Sequence, residues 1–99
     1  MNNQFNQITG FQWDAGNFYK NFIKHKVMYW ECEQIFYNQP LIILDDYKHS
    51  IYEKRWAAFG KTDYGRKLTV IFTIRGNLIR VISARDMNQK ERNFYEKQR

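Results

Sequence analysis

Apolar side chains recur at a helical spacing early in the chain and at a two-residue spacing later. Ala15, Phe18, Tyr19 and Phe22 fall at i, i+3, i+4 and i+7, while Asn17, Lys20, Asn21 and Lys24 point the other way. That is the pattern of an amphipathic helix. Asp14 stands at its N-cap position, where a short side-chain oxygen can accept from a free backbone N–H. Lys24, His25 and Lys26 close it, and positive charge suits a helix C-terminus. A second short helix is predicted over residues 29–37, and Pro40 ends it because proline has no N–H to donate.

Beyond Pro40 the pattern becomes extended. The apolar run Leu41 to Leu44 reads as a first strand, closed by Asp45 and Asp46. A polar turn around Lys48 to Ser50 leads to a second strand through Tyr52 to Gly60, and the Asp63 to Gly65 turn leads to a third from Lys67 to Ile74. Gly76-Asn77 is a two-residue link of the kind that joins antiparallel strands, so a fourth runs from Leu78 to Ala84. A tight link sets Thr73 opposite Arg80, Phe72 opposite Val81 and Ile71 opposite Ile82. Val70, Phe72, Ile74, Ile79 and Val81 then make an apolar face that must meet the helices. Thr69, Ile71, Thr73, Arg75, Arg80 and Ile82 make a mixed face that can meet water. Asn88 followed three residues later by Glu91 has the spacing of a capping box, so a last helix runs from Gln89 to about Lys97. The expected fold is a single α+β domain over residues 1–99, a four-stranded antiparallel sheet with two N-terminal helices and one C-terminal helix. The Asn- and Gln-rich opening, Met1 to Ile8, is expected to be loose.

Composition sharpens this picture in three places. Aromatic residues are 18% of the 99 positions, enough bulk for a core in so short a chain. The one cysteine, Cys32, cannot form an internal disulfide, and its place on the second helix suits a small buried apolar group. Neither His25 nor His49 has metal-ligand spacing around it, so no metal or other cofactor is expected. No basic, apolar leader and no run of about 18 apolar residues is present, which points to a cytoplasmic protein without a membrane partner. A net charge of +6 favours an anionic partner.

Several groups of residues together resemble the BrnT family of ribonuclease toxins. They are Trp13-Asp14, Asn21-x-x-Lys24-His25-x-Val27, Asp46-x-x-His49-Ser50-x-x-Glu53-x-Arg55-Trp56 and Gly65-Arg66-x-Leu68. The strongest run comes last: Phe72-Thr73-x-Arg75, Ile79-Arg80-Val81-Ile82-Ser83-Ala84-Arg85 and Lys90-Glu91-Arg92-x-x-Tyr95. Asn17, Met28 and Gln39 depart from the family pattern. The resemblance implies a RelE-like fold and the toxin half of a type II toxin-antitoxin module. It also implies endoribonuclease activity on cellular RNA, and a ribbon-helix-helix, BrnA-like antitoxin that supplies any contact with DNA. The same basic surface could instead belong to a binding module that breaks no bond.

RNA cleavage without a metal needs a base for the 2′-hydroxyl, an acid for the departing 5′-oxygen and cations for the phosphorane between them. Arg80 and Arg85 are candidates for the cations, because a planar guanidinium grips two phosphate oxygens. His49 has the unperturbed pKa, about 6.5, nearest neutrality. Glu53 and Glu91 are alternative proton carriers, and Tyr95, one turn after Glu91, could stack on a base or donate to phosphate. Lys24, His25, Arg55, Arg75 and Arg92 are candidate RNA contacts.

Overall fold

The computed structural model describes residues 3–98. It contains three helices and five strands, and none of the described helices is long and apolar enough to cross a membrane. Strand β1 is Gly10–Phe11, helix α1 is Lys20–His25 and helix α2 is Tyr29–Ile35. Strands β2 (Ile42–Asp45), β3 (Trp56–Lys61), β4 (Lys67–Arg75) and β5 (Leu78–Asp86) follow, and helix α3 is Gln89–Glu96. The sheet order is β1-β5-β4-β3-β2.

The α+β class and the three helices agree with the sequence reading, but the sheet is five-stranded and mixed. β2 to β5 pair antiparallel, whereas β1 lies parallel to β5, Gly10 beside Leu78 and Phe11 beside Ile79. Thr9 N–H donates to Asn77 O and Gln12 N–H to Ile79 O, so the short strand is hydrogen-bonded past both its ends. Two residues carry no readable alternation, and the pairing is set by a partner 68 positions away.

The opening segment is also more ordered than expected. Residues 3–7 form a 3-10 turn that seats the Phe5 ring edge-on to Trp56 at 5.3 Å, while Ile8 packs on the same core. Residues 1 and 2 lie outside the described part of the chain. The second strand starts at Trp56 instead of Tyr52, because the segment before it folds into a side-chain-tied loop.

The sheet is the middle of three layers. On one face Val27, Cys32 and Ile35 of the helical half close over Trp56, Ala58, Val70, Phe72, Ile79 and Val81. Phe72 is fully buried, stacked on Trp56 at 5.6 Å with Phe36 edge-on at 5.3 Å. Gly60 lets α2 come this close, since a Cβ there would sit 2.8 Å from that of Ile35. Burial pushes the Cys32 thiol up to about 12 and leaves it inert. On the opposite face α3 covers only one end, through Phe59, Met87 and Tyr95. At the other end the loop before β3 covers Thr73, whose hydroxyl donates to Lys54 O, and an open stretch lies between.

Helix α1 begins five residues later than an N-cap at Asp14 suggested, and the reason lies in Asn17 and Asn21. Asn17 is buried; its amide donates to Gln12 O and Val81 O and accepts from Asp14 N–H, which folds residues 14–17 into a turn. Asn21 accepts from Ala84 N–H, and Lys20 Nζ donates to Ile82 O. These three side chains satisfy the outer edge of β5 where β1 no longer reaches it. Asp14 still caps that turn, its Oδ1 accepting from Gly16 N–H at 2.8 Å, and its carboxylate also meets Arg80.

Candidate active site

The hairpin of β4 and β5 has the expected register from Arg75/Leu78 to Phe72/Val81 and then slips. Ile71 pairs with Ser83 instead of Ile82, so Ile82 is an extra residue in β5. The consequence falls on Arg85. Strict alternation from Val81 would point Arg85 into the core and Ala84 outward. One inserted residue reverses them, so that Ala84 is buried and Arg85 stands on the open face beside Thr69.

Glu91 fixes Arg85 there. Its Oε1 and Oε2 accept from the two terminal nitrogens of Arg85 at 2.7 and 3.0 Å, while Oε1 also takes Thr69 Oγ1–H and Asn88 N–H. Asn88 returns a bond to Glu91 N–H, completing the capping box of α3. Burial raises the Glu91 pKa, but Arg85, Asn88 and Thr69 together outweigh it and hold the group below its ordinary value. Glu91 is therefore a fixed carboxylate that positions Arg85. Because the folded pKa is depressed, this carboxylate contributes stability above about pH 4.5, its ordinary value, and loses it as pH falls through the folded pKa. Thermal unfolding of wild type and Glu91→Gln across pH 3 to 7 is expected to show a gap at neutrality that narrows below about pH 4.5.

The open face continues as a groove of about 490 Å³ running from Arg85 and Glu91 over Thr69, Ile71 and Ser83 to Asp46, His49 and Arg55. Asp46 and His49 come from the loop between β2 and β3. Both carboxylate oxygens of Asp46 lie 3.1 Å from His49 Nδ1. A carboxylate only accepts, so Nδ1 carries a proton toward Asp46. Ser50 braces this loop: its hydroxyl donates to Asp46 O at 2.6 Å and accepts from Arg55 N–H at 2.9 Å. Asp46 N–H in turn donates to Arg55 O. His49 and Arg55 are thus fastened to one another through the backbone.

Arg55 differs from the other arginines of the sheet. Arg66, Arg75, Arg80 and Arg85 each pair with a carboxylate; Arg55 pairs with none among the described residues. Its Nε is buried with no hydrogen-bond partner. A buried charged donor left without an acceptor is costly.

The remaining candidates lie elsewhere. Arg80, expected at the centre of the active face, forks onto Asp14 at 2.9 and 3.0 Å and onto Gln12 Oε1 at 3.1 Å, and its side chain is 12% exposed. It ties the segment after β1 to β5 and does not line the groove. Tyr95 is buried and its hydroxyl donates to Pro40 O, so its ring is core and unavailable for stacking. Arg92 bonds Met87 O and Gln89 within its own helix start. Lys24 and His25 sit at the end of α1, away from the groove, with His25 O accepting from Arg66. Glu53 pairs with Arg75 at 3.3 Å in a neighbouring basin that shares His49 and Arg55.

Asp46, Thr69 and Ser83 are the groove residues that sequence reasoning passed over. Asp46 had a readable signal, its spacing of three from His49. Thr69 and Ser83 had none apart from the strand register. Residues 13–91, most of the chain, match the family model described as ribonuclease toxin, BrnT, of type II toxin-antitoxin system. No curated protein matches the chain.

Proposed function

Because this chain belongs to the BrnT family of ribonuclease toxins of type II toxin-antitoxin systems, we propose that the open-face groove cleaves cellular RNA by attack of a 2′-hydroxyl, without a metal. The observation that carries this reading is Arg55, a guanidinium with no carboxylate partner among the described residues, in the same groove as an aspartate-oriented histidine. Arg55 and Arg85 bind the non-bridging oxygens of the scissile phosphate and stabilise the charge that grows on them. His49 Nε2 takes the 2′-hydroxyl proton, and Asp46 stabilises the resulting imidazolium. The P–O2′ bond forms, the P–O5′ bond breaks and the departing 5′-oxygen takes a proton from water. The products are a 2′,3′-cyclic phosphate and a 5′-hydroxyl.

The reading extends to partners. The chain carries +6, so an antitoxin that covers the groove needs an acidic segment there. A ribbon-helix-helix, BrnA-like protein would supply that segment and the contact with DNA. The site of action is the cytoplasm, where both RNA and antitoxin are made.

Induced expression in growing bacteria tests it. Wild type is expected to stop growth and deplete RNA, and Arg85→Ala to allow growth at equal protein level. Equal growth with wild type and Arg85→Ala contradicts the proposal.

A further inference from the structure

Arg55 and His49 line two basins, not one. The groove on the sheet lies on one side of them; on the other is a second basin of about 400 Å³, formed by the loop before β3 and the end of β4. The two differ in chemistry. The sheet groove has an aliphatic floor with the hydroxyls of Thr69 and Ser83, and its one phenyl ring, Phe59, is buried. The second basin carries Ile51 at 79% and Tyr52 at 99% exposure, two consecutive side chains with nothing lying on them, beside Lys48 and Arg75. Arg75 meets Glu53 through Nη2 alone. Tyr47 is different again, since its hydroxyl donates to Asp45 and Lys54 lies over its ring at 5.0 Å. Tyr52 is the aromatic surface left open.

An exposed ring flanked by cations is the arrangement that binds unpaired nucleotides, with the base on the ring and the phosphate on the charges. We propose that the second basin is a nucleotide subsite, in which Tyr52 stacks a base next to the phosphate held by Arg55, and Lys48 and Arg75 hold the neighbouring phosphate. This rests on the ribonuclease reading above and adds a substrate class to it. A base stacked on Tyr52 cannot also be paired, so the substrate is single-stranded RNA that extends at least one nucleotide past the bond to be cut.

The test is binding of a fluorescein-labelled 12-mer of 2′-O-methyl RNA, which has no 2′-hydroxyl and cannot be cleaved, followed by anisotropy. Tyr52→Ala is expected to weaken binding about tenfold, the usual worth of one stacked base. Tyr52→Phe keeps the ring and binds as wild type. Tyr64→Ala removes an equally open ring, 92% exposed at the opposite end of β3, and leaves affinity unchanged. Annealing the probe to its complement weakens binding to wild type. Unchanged affinity in Tyr52→Ala, or equal affinity for the duplex, overturns the subsite. Cleavage of ordinary RNA is a separate readout: binding that depends on Tyr52 without any cleavage leaves the subsite standing and removes the ribonuclease reading.

Discussion

Arg55→Ala lowers kcat/KM for RNA cleavage by about 10²–10³, the usual loss when one preorganised donor to a developing oxyanion is removed. The size of the effect follows from what Arg55 lacks. An arginine already held by a carboxylate presents its charge partly neutralised, whereas Arg55 has no such partner among the described residues and a buried Nε still to be satisfied. Its substitution deletes a cation without freeing an acid, so the folded state is disturbed little and the loss appears in catalysis. Arg55→Lys recovers only part of the rate, because an ammonium cannot fork across two phosphate oxygens. Initial rates on a labelled oligonucleotide, with folding checked by circular dichroism, give both numbers. A loss below threefold would place the phosphate elsewhere.

Phe72→Ala destabilises the fold by about 3–5 kcal/mol, the range for removing a buried aromatic ring from a packed core. Phe72 occupies the central strand and touches Trp56, Phe36 and Phe5, which come from β3, the end of α2 and the opening turn. No single neighbour can move to fill the space, since each is anchored in a different element. Small domains have about 5–15 kcal/mol in all, so the loss removes a large share of the total. Urea unfolding followed by tryptophan fluorescence measures this directly, because Trp56 stacks on the deleted ring. A loss under about 1 kcal/mol would mean that the three elements do not converge on Phe72.

Much of the fold was legible because it depends on local rules. Two-residue alternation and the Gly76-Asn77 link were enough for the hairpin register up to Phe72/Val81, and Asn88 with Glu91 marked the start of α3. Three features depended on distant partners and left no local trace. β1 needs β5 beside it. The bulge at Ile82 has no glycine to announce it, yet it decides whether Arg85 is core or surface. Asp14 does cap Gly16 N–H, but buried Asn17 ends that turn before α1 begins, and Arg80 reaches the same carboxylate from β5.

The candidate site shifted for the same reasons. Parity from the hairpin link put Arg80 at the centre; Arg80 keeps that register but is held by Asp14 and Gln12, while the slip beyond Phe72 turns Arg85 into the groove that Arg55 also lines. His49 stays in it, with Asp46 added as the group that orients its ring. Tyr95, placed by helical spacing beside Glu91, faces the core because α3 lies across Phe59.

The account turns on the groove that holds His49, Arg55 and Arg85. It is tested most directly by digesting a single-stranded RNA with wild type and Arg55→Ala in EDTA and identifying the new 3′ ends. Wild type should leave 2′,3′-cyclic phosphates and Arg55→Ala almost none. Intact RNA with wild type, or cyclic ends at equal rates from both proteins, would contradict it.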